Sequence, residues 1–436
     1  MKLKILSLLT MLTLSMAQPA NSMETLKKYF ATANRLKQNA TSYLLSTAMS
    51  FAGWFGGNSI SINGSHSSLN GIVVNGKRIQ INSTDQNPVT KTIYKTIDLP
   101  ANGVLIVNND KGNVSLISSG RSNTIEVIAT VTAPNEDEAK NLVPKLWDSE
   151  TGTVRLETEY LNNATQGSIA YNIKVPQKTL QKNIQTSNGS IELRNGIGDM
   201  YTKTSNGNVS IINAHGSIHN TTSSGHTSYE AIVGSVVSNT SSGDQKLKNI
   251  TGNIELKSNS GSLIASNISG AAQLKTSHGD ITLQNGGNKV EASTSNGTVT
   301  LENIKGCVKT DSINGNHHLK NISNSATVTT TNGNTYLQNV LGKLLLTSKT
   351  GETTVTLEEP KQSITIKGGQ GNVQLNVKSL QDAYLKITSR KGSLTSDWAI
   401  DRINNRVGFS VDQKLGSGQT TIEIATQTGN VYLKNK

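Results

Sequence analysis

The sequence predicts an all-β fold: a single-stranded parallel β-solenoid (β-helix) with 18-residue coils, preceded by an N-terminal amphipathic helical segment. Glycines recur at intervals of 18 residues, and apolar and hydroxyl side chains keep fixed positions between them. Aromatic residues make up only 4% of the 436-residue chain, which leaves little material for large globular cores. A stack of coils, in which each coil covers the next, needs no such core.

The turn glycines set the period. The tetrapeptide Thr-Ser-Asn-Gly and its near-copies place glycines at Gly189, Gly207, Gly225, Gly243, Gly261, Gly279, Gly297, Gly315, Gly333 and Gly351. A second series lies midway between them at Gly198, Gly216, Gly234, Gly252, Gly270, Gly306 and Gly342, with Asn288 and Asn324 where glycine is missing. Because asparagine tolerates a left-handed backbone best after glycine, we expect both asparagines to adopt it. Each coil is predicted to contain two half-turns.

Other columns share this register. Hydroxyl side chains stand three residues before the glycines, from Thr204 to Ser348, and apolar side chains stand four and eleven residues after them, starting at Leu193 and Met200. Alternation of this kind predicts strands with one buried face. Because equivalent residues of successive coils must stack, we expect the strands to be parallel.

Asparagine recurs six residues after the turn glycine, with Ala231 as the exception. The column contains Asn195, Asn213, Asn249, Asn267, Asn285, Asn303, Asn321 and Asn339. An amide has both donors and an acceptor, so identical amides stacked at the strand spacing can bond to one another. We predict an asparagine ladder at a corner; separate exposed turn residues are the alternative.

The remaining chain divides by pattern. Residues 1–17 have the basic start and short apolar run of a cleavable signal peptide, and residues 21–57 have the three- and four-residue apolar spacing of an amphipathic helical segment. Residues 58–175 are predicted as an irregular β N-terminal cap and first coils, with one short helix around Glu136 to Trp147. Residues 176–436 are predicted as the solenoid, most regular at 186–351.

Two stretches resemble a known family. They are "YNIKVPQKTLQKNIQTSNGSIELRNG", from Tyr171, and "GSGQTTIEIATQTGNVYLKN", near the C-terminus. A strand ending in Val-Pro, a first Ser-Asn-Gly-Ser-Ile turn, repeated coils and a final Thr-Gly-Asn-Val strand resemble the bacterial putative-adhesin β-solenoid domain family, over roughly Val104 to Lys436. The resemblance implies surface adhesion and provides no catalytic motif to carry over.

We predict no catalytic, cofactor-binding or metal-binding residues. The turns contain almost no aspartate, unlike those of calcium-binding β-rolls. Six histidines, His215, His219, His226, His278, His317 and His318, occupy different columns of the repeat, and only the last two are neighbours. His317 falls in a usually apolar column.

A carbohydrate-active β-helix enzyme is the alternative function. Asp244 and Asp280 share a column two coils apart, roughly 9.6 Å by strand spacing, at the edge of the range for an inverting carboxylate pair. Glu255 and Glu291 share another column. The minimal turns leave no walls for a cleft, so the sequence favours a protein that is not an enzyme. A self-assembling envelope scaffold is a further alternative.

The diffuse net charge of +12 favours acidic partners. We expect a cell-surface or envelope component, with acidic polysaccharide as one candidate, and no specific nucleic-acid recognition, because clustered arginines and aromatic stacking residues are missing. Self-association through the solenoid ends and membrane-surface contact of the N-terminal helix stay open. The lone Cys307 excludes an internal disulfide. The sequence thus predicts an exported surface protein of the periplasm, cell surface or extracellular space, structural or adhesive, that binds through flat faces.

Overall fold

The computed structural model describes residues 60–65, 68–74, 77–79, 88–98, 103–119, 123–149, 152–163, 166–177 and 181–436. The predicted signal peptide and amphipathic helical segment lie outside the described residues. The chain divides into two units, Met1–Asn87 and Pro88–Lys436. In the first unit, β1 (Ile60–Ser65), β2 (Ser68–Val74) and β3 (Lys77–Ile79) form an antiparallel sheet in that order.

The second unit is a parallel β-solenoid, which confirms the predicted fold class. From β11 onward, eleven successive coils each give one strand to sheet II and the next strand to sheet I. The odd-numbered strands belong to sheet II: β11 (Gln181–Asn188), β13 (Asp199–Asn206), β15 (Ile218–Ser224), β17 (Val236–Ser242), β19 (Ile254–Ser260), β21 (Ala272–His278), β23 (Lys289–Asn296), β25 (Cys307–Asn314), β27 (Ala326–Asn332), β29 (Leu344–Thr350) and β31 (Ile364–Gln370). The even-numbered strands belong to sheet I: β12 (Ile191–Arg194), β14 (Val209–His215), β16 (Thr227–Val233), β18 (Gln245–Thr251), β20 (Leu263–Ile268), β22 (Ile281–Gly286), β24 (Val299–Ile304), β26 (His317–Ile322), β28 (Thr335–Val340), β30 (Thr353–Leu357) and β32 (Val373–Val377).

The core lies between the two sheets. Both predicted apolar columns, from Leu193 to Leu337 on sheet I and from Met200 to Leu344 on sheet II, are buried at every coil. Each residue pairs with its equivalent 18 positions later, as Leu283 pairs with Leu301. Apolar area is therefore removed from water coil by coil, at about 25 cal/mol for each Å².

The turn glycines stack directly on one another. Gly225 has a φ of +149°, and a Cβ atom there would overlap the carbonyl oxygen of Gly207 in the preceding coil. A side chain at this corner would have to displace backbone, so the neighbouring coil requires glycine here.

The predicted hydroxyl column is buried beside these glycines. Thr276 Oγ1 donates to the carbonyl oxygen of Gly261 at 3.1 Å, and Thr294 Oγ1 donates to that of Gly279 at 3.1 Å. The hydroxyl therefore satisfies a glycine carbonyl at the corner that strand pairing leaves without a donor.

The asparagine ladder is confirmed. The Nδ2 group of one asparagine donates to Oδ1 of the asparagine one coil before it, at 2.7 to 3.2 Å, for the pairs from Asn267–Asn249 to Asn339–Asn321. All eight asparagines and Ala231 have a left-handed backbone, with φ between 54° and 58°. The expectation for Asn288 and Asn324 is wrong, because neither has a positive φ. In these two coils the left-handed residues are Asn285 and Asn321, which stand three residues earlier and belong to the asparagine ladder.

At the N-terminal end of this unit, spatial order differs from chain order. The elements are β4 (Val89–Asp98), β5 (Val104–Lys111), β6 (Val114–Ser118), β7 (Thr124–Ala133), α1 (Glu136–Lys140), β8 (Leu142–Ser149), β9 (Thr153–Tyr160), a 3-10 turn (Leu161–Asn163) and β10 (Ser168–Val175). The coil of β5 and β6 lies between the coil of β9 and β10 and that of β11 and β12. Antiparallel β7 and β4 then extend sheet I, and antiparallel β8 extends sheet II.

The predicted helix around Glu136 to Trp147 is wrong in its second half. Asn135 Oδ1 caps helix α1 by accepting from the backbone N–H of Glu138 at 2.8 Å. Pro144 and Trp147 instead lie in β8, an edge strand of sheet II. An edge strand tolerates proline because one side of it forms no ladder hydrogen bonds.

The C-terminal end is also out of chain order. It contains β33 (Ala383–Ser389), β34 (Leu394–Ser396), β35 (Ile403–Asn404), β36 (Phe409–Lys414), β37 (Thr420–Thr426) and β38 (Val431–Asn435). Strand β37 lies between β31 and β33, and β38 lies between β32 and β34. Antiparallel β36 and β35 continue sheet II. In sheet I the outermost strand at this end is β34, which is parallel to β38.

Candidate ligand-binding groove

A groove of about 330 Å³ lies on the outer face of sheet II, between two columns of outward side chains. One wall consists of Asn183, Tyr201, His219 and Val237, and the other of Asn108, Gln185, Lys203, Thr221 and Asn239. Ile184, Thr202 and Asn220 form the floor. Alternation along each strand places these walls two residues apart, with the inward floor residue between them.

The groove crosses the strands rather than following them. Tyr201 pairs with His219 and His219 with Val237, one in each successive coil. From Asn108 on β5 to Asn239 on β17 there are four strand spacings, or about 19 Å at about 4.8 Å each. The groove therefore runs in the direction in which the coils stack.

Ion pairs close both ends of the groove. The two columns continue onto β9 as Arg155 and Glu157, which lie 4.0 Å apart, and onto β19 as Glu255 and Lys257, which lie 2.5 Å apart. Each pair joins one wall to the other. Between these two ion pairs, the facing residues of the two walls do not carry opposite charges, so no ion pair bridges the groove there.

One wall presents an aromatic surface. The rings of Tyr201 and His219 are stacked, with centroids 5.0 Å apart and planes 10° apart, and Tyr201 is 40% exposed. Val237 extends this surface by one coil. Stacked rings on paired strands support each other, so the wall presents a rigid apolar surface with polar edges.

The opposite wall is polar. It contains the amides of Asn108, Gln185 and Asn239, which can both donate and accept. Asn108 is partly engaged, because its Nδ2 donates to Glu157 at 3.0 Å. Lys203 forms no ion pair with any residue that the structure describes, and no carboxylate is among the described groove residues.

Buried hydrogen bonds hold the floor in place. Thr202 Oγ1 donates to Asn220 Oδ1 at 2.8 Å, and Asn220 Nδ2 donates to Ser238 Oγ at 3.2 Å. Tyr229, from sheet I, lies 3.0 Å from the same Ser238 hydroxyl, and burial raises the pKa of Tyr229. Satisfied buried networks of this kind fix side-chain positions, so the walls stand on a rigid base.

The carboxylates considered for catalysis have structural partners. Asp244 Oδ1 accepts from the backbone N–H of Ser262 at 2.8 Å, and Asp280 Oδ1 accepts from that of Thr298 at 2.7 Å. Asn208 and Asn334 play the same role in other coils. Glu255 and Glu291 pair with Lys257 and Lys289, at 2.5 and 2.6 Å. All four groups thus have a partner within the repeat.

The histidines occupy separate environments. His226 Nδ1 accepts from the backbone N–H of Asp244 at 3.1 Å, and His318 stacks on Tyr336 at 5.0 Å. His317 is buried in contact with Ser312 at 2.8 Å, and burial lowers its pKa to about 4. His215 and His278 are exposed. Across the described ranges, His, Cys, Asp and Glu form no group of three that could hold a metal ion.

A second depression, of about 300 Å³, lies where the asparagine ladder ends. Asn339, Leu341, Glu358 and Glu359 are among its lining residues. Asn339 Oδ1 is buried without a partner among the described residues, and the ion pair with Lys436 lowers the pKa of Glu358. Its lining residues include no aromatic ring, unlike those of the groove on sheet II.

The residues that form the groove were not singled out by the sequence. Residue type brings in His219 only in connection with metal binding, and no predicted site includes Tyr201 or Lys203. Their positions did contain a clue: Tyr201 and His219 stand 18 residues apart, in a column that alternation places outside the core. Of the helices that the structure describes, none is long and apolar enough to cross a membrane.

Residues 274–434 match the family model described as Toastrack DUF4097. This match confirms the resemblance to the putative-adhesin β-solenoid family for the C-terminal part of the chain. No curated protein matches the chain.

Three solved structures are similar over most of the chain. They are a "putative cell adhesion protein" from Clostridium sporogenes (13% identity, 80% of this chain, 100% of that chain, TM-score 0.15), a "putative adhesin" from Parabacteroides distasonis (10% identity, 79% of this chain, 97% of that chain, TM-score 0.21) and a "putative adhesin" from Bacteroides fragilis (13% identity, 79% of this chain, 97% of that chain, TM-score 0.16). Similarity at this level supports no conclusion about the partners of this chain.

Proposed function

We propose that the protein is an exported, non-enzymatic surface protein that adheres to polysaccharide through the groove on sheet II. The observation that carries this proposal is the stacked pair of Tyr201 and His219, which faces a wall of amides across a rigid floor. The apolar face of a sugar ring packs on an aromatic surface, and its hydroxyls bond to groups that both donate and accept.

The support under the groove favours binding at low entropic cost. Its walls stand on consecutive strands of one sheet, and the floor residues are hydrogen-bonded beneath them. A site that is already ordered loses little conformational freedom when a ligand binds.

A binding role fits the groove better than catalysis does. Glycoside hydrolysis generally needs two carboxyl groups at the scissile bond, and the described residues of the groove include none. Asp244 and Asp280 accept backbone hydrogen bonds within the turns instead.

Export and surface location are supported by the N-terminal sequence. Lys2 and Lys4 precede an apolar run and small residues, the pattern of a cleavable signal. The Toastrack DUF4097 match and the β-solenoid fold are compatible with an adhesive surface protein. A stiff stack of coils presents such a groove without the flexibility of a loop.

The test is binding of the full mature chain to a panel of envelope and host polysaccharides, measured by affinity electrophoresis and calorimetry. Tyr201→Ala is expected to weaken binding at least tenfold, because it removes half of the aromatic surface. Tyr336→Ala is the matched control, since Tyr336 is also 40% exposed and stacked on a histidine, but lies on sheet I.

Three results would overturn this function. One is the absence of binding across the panel, and another is equal loss of binding in both tyrosine variants. The third is release of reducing or unsaturated ends by the wild-type chain, abolished by Asp244→Asn or Asp280→Asn. That result would establish the enzyme.

A further inference from the structure

We infer that the groove selects anionic polysaccharide, with a carboxylate or sulfate group of the sugar bound at Lys203. This inference rests on the proposed function and specifies its ligand class. It follows from the distribution of charge along the two walls.

Lys203 lacks an internal counter-charge. Its neighbours in the same wall are Gln185 and Thr221, both uncharged, and the residue across the groove on its own strand is Tyr201. The structure gives Lys203 no ion pair with a described residue, whereas lysines elsewhere on this face, such as Lys257 and Lys309, each have one.

The nearest carboxylates along the two columns are already engaged. Glu157, beyond the first end of the groove, lies 4.0 Å from Arg155 and accepts from Asn108 at 3.0 Å. Glu255, beyond the other end, lies 2.5 Å from Lys257. An anionic ligand therefore enters a groove whose own negative charges are neutralised at its ends.

The position of Lys203 suits a charged sugar that lies on the rings. Lys203 and Tyr201 are two residues apart on β13, so they face each other across the groove. A sugar that packs on Tyr201 places an acidic substituent toward the opposite wall, within reach of the lysine ammonium. Hydrogen bonds between charged partners are about twice as strong as neutral ones.

One further lysine without an ion pair to a described residue lies beyond the groove in the same column. Lys275 pairs in register with Lys257 on the adjacent strand, and Lys275 forms no ion pair with a described residue. Lys203 and Lys275 are thus two lysines of one outward column of sheet II that have no ion pair with a described residue, which favours approach of a polyanion.

Nucleic acid fits the groove less well. Proteins that bind single-stranded nucleic acid stack successive bases on several aromatic side chains and also line the backbone path with cations. The groove offers one lysine and, among its described residues, no arginine.

The experiment uses two matched pairs of polymers with the full mature chain. Polygalacturonate is compared with its methyl ester, which has the same backbone without the charge, and dextran sulfate is compared with dextran. Single-stranded DNA is included as a competing polyanion. Lys203→Gln tests the site, and Lys246→Gln on sheet I is the matched control, because Lys246 is also exposed and also without an ion pair to a described residue.

We expect the wild-type chain to bind the charged member of at least one pair about tenfold more tightly. Lys203→Gln should remove this preference, and Lys246→Gln should keep it. Equal binding of charged and uncharged members, equal effects of the two variants, or tighter binding of DNA than of either polymer would overturn the inference. Tyr201-dependent binding of an uncharged polymer would still support the proposed function, so the two failures are distinguishable.

Discussion

Asn285 Nδ2 donates to Asn267 Oδ1 at 2.8 Å, and Asn285 Oδ1 accepts from Asn303 Nδ2 at 3.2 Å. Each internal member of the ladder thus uses its amide in both directions while its backbone holds a left-handed turn. The ladder is interrupted at Ala231, which has the same backbone, with a φ of 56°, and no amide.

We predict that Ala231→Asn raises the free energy of unfolding by about 2 kcal/mol. Asparagine tolerates the left-handed backbone better than alanine, and its amide would bond to Asn213 and Asn249. Thermal and urea unfolding measure the change. Ala231→Gly is the control, because it relieves the backbone without adding an amide; an asparagine variant no more stable than the glycine variant would contradict the ladder's contribution.

We predict that Asp280→Asn leaves stability nearly unchanged, whereas Asp280→Ala lowers the unfolding free energy by about 1 kcal/mol. Asparagine keeps an oxygen that accepts from the backbone N–H of Thr298, as Asn334 does for Glu352, and alanine leaves that donor to water. Unfolding midpoints of the two variants distinguish the outcomes. Equal destabilisation by both would mean that the charge of Asp280 matters.

We predict that Gly225→Ala lowers the unfolding free energy by about 3 kcal/mol or more. The new Cβ atom would overlap the Gly207 carbonyl oxygen, at a φ that alanine rarely adopts. Ser223→Ala, at an exposed position two residues earlier, is the control and should change little. A well-tolerated alanine at 225 would show that the corner can relax.

We predict that acid weakens the solenoid through His317. Burial lowers its pKa from 6.5 to about 4, so between these values the unfolded chain binds more protons than the folded chain. The free energy of unfolding therefore falls as pH falls from about 6.5 to about 4, with a total loss of roughly 3 kcal/mol from this group.

His317→Leu should flatten this part of the pH profile, because leucine suits the apolar column and does not titrate. Denaturant midpoints at pH 7 and pH 4.5 give the comparison, with the exposed His278→Leu as the control. The same slope in His317→Leu as in the wild-type chain would contradict the assignment.

The sequence predicts the coils wherever spatial order follows chain order. Equivalent residues such as Leu283 and Leu301 lie 18 apart, and strand pairing places them side by side. The period fails after Gly351 because the next coil is longer: Thr353 pairs with Val373, 20 residues on. The solenoid ends could not be predicted from spacing, since β37 is inserted between strands that precede it in the chain.

The groove was harder to predict for a related reason. The inward columns through Leu283 and Met200 are apolar at every coil, because each residue packs on its equivalents. Outward columns are free to vary, and the column that holds the rings of Tyr201 and His219 continues as Val237 and Glu255. The groove lies where no ion pair joins the two outward columns. To predict it, one would have to know the residues at both outward positions in several successive coils.

The insertion of the last coil has a consequence for synthesis. Residues 383–396 are synthesised before residues 420–435. In the folded protein, however, residues 420–435 lie between residues 383–396 and the coil of β31 and β32. Until β37 and β38 arrive, the strands β31, β32, β33 and β34 have open backbone groups on the sides that these two strands later cover. A product cut short before Thr420 would keep those edges and would be more open to proteases than the chain that includes β37 and β38.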